Sequence, residues 1–415
     1  MTRHLLRLVC AVAVAGILAG CSSSHKDDTL AILKTVPADA QMVAVVNAEQ
    51  VIDKGALPES LDKLPTAGVA LNSLVMFVNS QERTIISGLL DDRNAFMQAV
   101  EKSGGEKFEQ QGNLWLTSKC AVSSERFWYA ADRRIDPEKV KEYAALDEKN
   151  SFAANKYSSE LASSSSDGVY LVNLNAILDA ASGSLPQAKL GVSMLFVDPA
   201  WIAGTVDGEK GKATFSASVL NSDFKPSQFQ FETSDIDAKA IGYLRSGSVV
   251  AALGLSDAMK SQIATLASGF GGAQAKQFLD LIGGTLAVSV DPASGKGSFA
   301  IQAAKGKESQ LQALLAPLAS GYAKMNVALQ DDYVVGSEGS LQGSVPSEVS
   351  GKFKDAVLAL WMSGAALEKK SSLEGVSDMY ILLKPESKSL RLDAEILLKD
   401  KNASFWAFAA SQAKK

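Results

Sequence analysis

Histidine and cysteine are scarce in this sequence. Its 415 residues include two histidines, His4 and His25, and three cysteines, Cys10, Cys21 and Cys120. Ser-His-Asp triads, Cys-His pairs and most zinc sites depend on these side chains. Because Cys120 is the only cysteine or histidine after residue 25, we expect no catalytic residue, no cofactor and no metal site for zinc, copper or iron; a hard cation such as calcium on carboxylates is the alternative that stays open.

Positive charge and long apolar runs are also lacking. The chain has 41 Lys and Arg against 46 Asp and Glu, a net charge of −5, so we expect no nucleic-acid partner. No stretch after the N-terminal segment approaches the roughly 18 apolar residues that a transmembrane helix requires. The 47% apolar content is ordinary for a globular protein, and the length fits about two to four domain-sized units.

The N-terminal segment has the features of a bacterial lipoprotein signal. Arg3 and Arg7 precede a short apolar run, which ends in Leu18-Ala19-Gly20-Cys21. These four residues resemble the lipobox. The resemblance implies removal of residues 1–20 and attachment of diacylglycerol and a fatty acyl chain such as palmitate to Cys21. The alternative is an ordinary cleaved signal in which Cys21 occurs by chance.

A polar tether is predicted over residues 21–29. Ser22, which directly follows the lipidated cysteine, resembles the residue found there in outer-membrane lipoproteins. Lys26-Asp27-Asp28 resembles an export signal of surface lipoproteins. We therefore expect a lipid anchor in the outer membrane, and both the periplasmic face and the cell surface remain open.

A short apolar strand followed at once by a helix occurs four times. The strands are predicted at Met42–Val46, Val169–Val172, Val249–Leu253 and Val357–Trp361. The helices begin after Asn47, Asn173, Ser256 and Ser363, and Asn47 suits an N-cap. Hairpins and further helices follow the first and third blocks in the same order. Among the elements predicted there are a strand at Ser193 to Val197 and a helix from Lys307 to Ala319 that stops at Gly321. This order predicts two pseudo-repeats, at 30–221 and 235–400, with a C-terminal helix at 401–415; the alternative is coincidence among common units.

Hairpins separated by helices of moderate length are typical of antiparallel sheets. The predicted fold class is therefore α+β: two pseudo-repeats of largely antiparallel sheet with helices packed on one face.

Val36-Pro37-Ala38-Asp39-Ala40 lies shortly after the tether and directly before the first strand. Together with the lipobox, this motif resembles the start of a Bacteroidota lipoprotein family that is known only as a domain of unknown function. The resemblance implies no activity and no site residues. The motif itself predicts a turn that leads into the first strand.

The other candidate motifs favour structural roles. The glycine-rich segments at 208–213 and 295–298 lack the first glycine of a phosphate-binding loop, so they predict hairpin tips. Asp91-Asp92 predicts a helix cap and Asp331-Asp332 a hairpin tip. Cys120 is expected to be a buried structural thiol, with a nucleophile as the alternative. The Gly-rich segment 264–275 predicts a hinge or a close-packing device, with a ligand-gating loop as the alternative.

These observations predict a lipid-anchored bacterial envelope protein without enzymatic activity and with a binding or scaffold role. Its expected partners are the membrane, through the N-terminal lipid, and a protein or glycan of the envelope. One alternative is a carrier or chaperone for a hydrophobic envelope component, which would need a large open apolar cavity. The other is a carboxylate-based hydrolase, which would need two carboxyls roughly 5–9.5 Å apart in one cleft.

Overall fold

The computed structural model describes residues 26–46, 48–54, 66–79, 83–131, 134–181, 188–245, 247–267, 272–339, 343–371 and 373–413. The strands are β1 (Met42–Val46), β2 (Val69–Val78), β3 (Thr84–Leu90), β4 (Glu109–Gln111), β5 (Leu114–Leu116), β6 (Cys120–Val122), β7 (Arg126–Ala130), β8 (Gly168–Asn173), β9 (Trp201–Glu209), β10 (Lys212–Leu220), β11 (Val249–Gly254), β12 (Ile282–Asp291), β13 (Lys296–Ala303), β14 (Met325–Gln330), β15 (Tyr333–Glu338), β16 (Leu358–Ser363), β17 (Val376–Glu386) and β18 (Ser389–Leu398).

The helices are α1 (Lys26–Leu33), α2 (Ala48–Asp53), α3 (Arg93–Gly104), α4 (Pro137–Ala144), α5 (Ser158–Ser163), α6 (Leu174–Ala181), α7 (Ala188–Leu195), α8 (Ala238–Gly242), α9 (Asp257–Ala267), α10 (Gly272–Leu279), α11 (Glu308–Ala323), α12 (Ser347–Phe353), α13 (Gly364–Ser371) and α14 (Phe405–Ala413). None of the helices within the described ranges is long and apolar enough to cross a bilayer.

The described residues form two compact units. The first contains β1–β10, α14 and the helices up to residue 194, and the second contains β11–β18 and α8–α13. Within each unit the strand pairings are antiparallel. The predicted α+β class is thereby confirmed.

The strand order of the first unit is β10-β9-β8-β1-β2-β3-β7-β6-β5-β4. The order of the second is β18-β17-β16-β11-β12-β13-β15-β14. The two orders correspond strand by strand, with β1 in the place of β11 and β8 in the place of β16, and the first unit has the additional strands β4 and β5. This shared strand order is compatible with the two pseudo-repeats, which stay a prediction.

A pair of helices covers the same sheet face in each unit. In the first unit α1 packs on α5, β2 and β3, and in the second α8 packs on α12, β12 and β13. Alternate residues of the central strands lie beneath them, such as Val43 and Val45 of β1 and Val250 and Ala252 of β11. Each of these helix pairs therefore closes one hydrophobic core.

Side-chain caps set several of the helix ends that the sequence predicts. Asp92 accepts hydrogen bonds from the backbone N–H of Asn94 and Ala95, and α3 ends at Gly105, whose φ is +70°. Asn173 accepts from Ala176 N–H at 3.2 Å, and Ser256 accepts from Met259 N–H at 3.1 Å. These caps satisfy N–H groups that a helix start leaves without an intrahelical partner. Asn47, the first predicted cap, lies outside the described residues.

The folded part of the first unit begins within residues 21–29, which the sequence predicts to be a polar tether. Helix α1 begins at Lys26, and Thr29 is buried and shares a 2.7 Å hydrogen bond with the Ser73 hydroxyl. Asn72 also donates to the carboxylate of Asp28 at 2.7 Å. These polar contacts with β2 explain why a hydrophilic segment packs on the sheet. The Pro37–Ala40 turn directly before β1 is as predicted, with Ala40 N–H donating to Pro37 O at 3.1 Å.

Candidate functional site

The sheet of the second unit has a second face, on the side away from α8 and α12, and this face is apolar. In β11, Val250 and Ala252 belong to the covered core, so Val249, Ala251 and Leu253 point to the opposite face. Antiparallel sheets that carry one core face usually have polar residues on the other. Here both faces of the central strands are hydrophobic.

The strand register extends this second face across the sheet. Ala251 lies opposite Val288 of β12 and Leu360 of β16, and Leu360 lies opposite Ile381 of β17. Directly opposed residues share a face. We call the set the open face; it comprises Val249, Ala251 and Leu253 of β11, Leu286, Val288 and Val290 of β12, Phe299 and Ile301 of β13, Leu358, Leu360 and Met362 of β16, Met379, Ile381 and Leu383 of β17, and Leu392, Ala394 and Ile396 of β18. None of these positions carries a charged side chain.

The open face is incompletely covered. Val288 is 45% exposed, Val290 and Leu358 are each 41% exposed, and Leu392 is 38% exposed. The other members are partly exposed. Every exposed large hydrophobic residue among those the structure describes lies in the second unit. Since contiguous apolar patches of more than a few hundred Å² are rare on soluble monomers, this face is the main candidate for a binding surface.

The corresponding face of the first unit provides an internal comparison. Ala44 of β1 lies opposite Met76 of β2, as Ala251 lies opposite Val288. Met76 is only 4% exposed and Ala44 is fully buried. Thus the same sheet topology places apolar residues on this face in both units, but Val288 of the second unit is 45% exposed where its counterpart Met76 is covered.

Helices α9, α10 and α11 cover one end of the open face. Leu253, Leu286 and Ile301 pack against a buried cluster that includes Leu279 of α10, and Ile301 also packs against one that includes Leu311 of α11. Phe299 lies on β13, at the edge of the open face, where Gly336 of the neighbouring strand β15 allows a close approach. A Cβ at position 336 would lie 2.2 Å from the Phe299 ring. The helices therefore cover the part of the outer row formed by Leu253, Leu286 and Ile301. Leu358 and Leu392 of the same row, and the rows of Val288 and Val290, are accessible.

A cavity of about 790 Å³ lies beside this covered end, and three lysines line it. We call it the lysine cavity. The Lys260 ammonium pairs with Asp257 and donates to the carbonyls of Ile282 at 2.9 Å and Gly283 at 3.3 Å. Lys307 donates to the carbonyl of Asp280 at 3.0 Å. The remaining lining residues are Ser261, Ala264, Thr265, Lys276 and Leu279, with Ala304 and the Asp280 side chain.

A buried carboxylate in the first unit has a structural environment. Asp167 has a side chain only 1% exposed and forms a short ion pair with Lys54. Its carboxylate also accepts from Gly208 N–H at 2.8 Å and from Trp406 Nε1 at 2.9 Å. Burial raises the pKa of Asp167, and these donors oppose that rise. Because all the surrounding groups are engaged with one another, the cluster attaches α14 to the first unit and offers no free group for chemistry.

The predicted carboxylate pairs have the structural roles expected of them. Asp92 caps α3. Asp331, with φ +53°, lies at the tip of the β14–β15 hairpin and accepts from Tyr243 Oη at 2.7 Å. Its neighbour Asp332 accepts from Gln302 Nε2 at 2.8 Å. The glycine-rich segments at 208–213 and 295–298 lie at the tips of the β9–β10 and β12–β13 hairpins, also as predicted.

Cys120 is fully buried in β6, and burial raises the pKa of its thiol, which keeps it protonated. This agrees with a structural thiol. Cys21, the predicted lipidation site, lies outside the described residues, as does the centre of the predicted hinge, 268–271.

The open face was not anticipated from the sequence. The available signal was the run of apolar residues on both faces of β11 and β16, together with the alternate apolar residues Leu286, Val288 and Val290 of β12.

No protein-family model matches the chain, and no curated protein matches it. Among solved structures, crystal form III of TP0453 is 8% identical with a TM-score of 0.30, and covers 76% of this chain and 94% of that chain. Crystal form I of the same protein gives 8% identity and a TM-score of 0.28, over 76% of this chain and 93% of that chain. At such low scores no functional conclusion follows from these similarities.

Proposed function

We propose that this protein is a lipid-anchored bacterial envelope protein without enzymatic activity, and that its second unit binds the apolar part of a hydrophobic envelope component. The anchor is assigned to Cys21, on the basis of the lipobox-like sequence at 18–21. The binding function rests on the open face. Its accessible valines and leucines lie on a sheet whose counterpart in the first unit is buried.

The chemistry of the face favours an acyl chain as the occupant. Its backbone N–H and C=O groups hydrogen-bond within the sheet, and its side chains offer no charge. A typical protein–protein interface combines an apolar centre with several direct hydrogen bonds. A hydrocarbon chain needs only apolar contact. Each row of directly opposed residues across the open face, such as Val288, Ala251 and Leu360, supplies such contact along its whole length. The gain is about 25 cal/mol for each Å² of apolar surface removed from water.

Titration with a fluorescent apolar probe tests this function. The mature polypeptide, 21–415 with Cys21→Ser, is produced without its signal so that no lipid of its own competes for the face. N-phenylnaphthylamine, a neutral probe that fluoresces in apolar surroundings, should bind saturably, and cis-parinaric acid methyl ester should displace it. A signal that rises linearly without saturation, or a probe that the ester fails to displace, would contradict an acyl-binding function.

A further inference from the structure

We propose that the ligand of the open face is an anionic amphiphile, whose carboxylate or phosphate headgroup binds in the lysine cavity while its acyl chain lies on the open face. This inference rests on the proposed function and adds to it the chemical class of the ligand. Three observations support it. They are the position of the cavity, its charge, and the hydrophobic cluster against which both cavity-lining residues and residues of the open face pack.

The position of the cavity connects it to the face. Ala264 of α9 and Leu279 of α10 line it. Leu279 belongs to a buried cluster with Leu255 and Ile282, and Ala264 packs against this cluster, as do Leu253 and Leu286 of the open face. From Leu286 the face continues along β12 to Val290, a distance of about 13 Å at roughly 3.3 Å per strand residue. A headgroup in the cavity would therefore stand at the end of an apolar surface that runs directly away from it.

The charge of the cavity favours an anion. Lys260 and Asp257 neutralise each other as an ion pair. Two lysines, Lys276 and Lys307, then face one carboxylate, Asp280, so the remaining lining carries a net charge of +1. Lys307 donates one N–H to the neutral backbone carbonyl of Asp280. Within the described residues, Lys276 has no ion-pair partner. Both ammonium groups therefore keep N–H donors for a ligand.

The donors suit an oxyanion. Each ammonium group has three N–H donors and acts as a compact point charge, which binds carboxylate and phosphate oxygens. Hydrogen bonds between charged groups are shorter and roughly twice as strong as neutral ones. The open face contains no comparable donor. Headgroup and chain would thus be recognised by different parts of the second unit, and each part can be tested separately.

The test compares an acid with its ester. cis-Parinaric acid and its methyl ester have the same fluorescent chain, and only the acid carries a negative charge at pH 8. We expect the mature polypeptide with Cys21→Ser to bind the acid about tenfold more tightly than the ester. The variant Lys276→Gln/Lys307→Gln should lose most of that preference and bind the ester within about twofold of the parent.

A matched control removes the same charge elsewhere in the second unit. Lys239→Gln/Lys354→Gln changes two exposed lysines outside the cavity and should retain the preference for the acid. Hexadecyl phosphate should displace the acid, whereas inorganic phosphate at the same concentration should not.

The outcomes separate this inference from the function on which it rests. Equal, saturable binding of acid and ester would refute the headgroup site and leave the acyl-binding function intact. If the cavity variant and the control lost the preference for the acid equally, the headgroup site would also be refuted, because a general charge effect would then explain that preference. Displacement by inorganic phosphate alone would identify a free-anion site instead of an amphiphile site. Binding of neither probe would contradict the proposed function itself.

Discussion

Replacing Val288 and Val290 by threonine should weaken apolar ligands without unfolding the protein. Threonine has nearly the shape of valine and is also β-branched, so it fits a strand equally well. The two valines are 45% and 41% exposed. The new hydroxyl groups can therefore remain hydrated in the unliganded protein, and the free energy of unfolding should change by less than about 1 kcal/mol.

The threonine variant loses binding free energy only when a ligand covers the open face. A valine exposed to this extent leaves on the order of 60–70 Å² of apolar surface for a ligand to bury, worth about 1.5 kcal/mol at 25 cal/mol per Å². Threonine removes part of that surface and must also desolvate a hydroxyl without a partner. We expect the double variant to bind N-phenylnaphthylamine about 10- to 30-fold more weakly, which corresponds to roughly 1.4–2 kcal/mol.

The first unit supplies the contrasting variant. Met76 has the position of Val288 in the strand order but is only 4% exposed. Met76→Thr should therefore destabilise the fold by about 2–4 kcal/mol, as truncation of a buried side chain does, and leave the probe affinity of the folded protein unchanged. Urea unfolding and probe titration on both variants measure the two quantities. Unchanged affinity in the Val288→Thr/Val290→Thr protein, or an equal loss of stability in both, would refute the assignment of the open face.

Three further predictions concern the anchor and the first unit. Cys21→Ser in the full-length chain should release or mislocalise the protein; a variant that still enters the detergent phase and stays membrane-bound would disprove the lipid anchor. Trp406→Phe should lower the free energy of unfolding by about 1.5–3 kcal/mol, because it removes a hydrogen bond to the buried Asp167 carboxylate, whereas a change within error would show that this bond does not hold α14. Cys120 should react with a maleimide only in denaturant, since it is fully buried and its thiol pKa is raised; rapid labelling of the native protein would contradict this burial.

Much of the topology was predictable because the local signals agree with one another. Asp92 and Gly105 delimit α3 as the cap residues indicate. The strand–helix blocks predict that β1 corresponds to β11 and β8 to β16, and these strands hold corresponding places in the two strand orders. The short strand β4, by contrast, consists of three exposed polar residues and carries no periodic signal.

Two local predictions were wrong for identifiable reasons. The apolar run 193–197 predicts a strand, but Ser193 to Leu195 complete helix α7. A run this short has no period that separates helix from strand. Gly321 predicts the end of a helix, whereas α11 continues to Ala323 and is capped by Lys324 with φ +51°. Glycine at this position is tolerated inside the helix, so it is a weak stop signal.

The open face was not predictable from the sequence, because burial of the second face depends on what packs against it. The strand of Val249 to Leu253 and that of Met42 to Val46 are both apolar throughout, and each is consistent with a strand buried on both sides. Only the structure shows that Met76 is covered and Val288 is not. Similarly, Lys260, Lys276 and Lys307 come from three separate parts of the chain and converge only in the fold.

Photo-cross-linking tests the central claim, acyl binding on the open face of the second unit, most directly. A fatty acid with a diazirine in its chain is bound to the mature polypeptide, irradiated, and located by mass spectrometry of the peptides. The label should fall on β12 and β16, within 286–290 and 358–362, and should decrease in the Val288→Thr/Val290→Thr variant. Labelling concentrated in the first unit, or spread evenly over both units and unaffected by that variant, would contradict the account.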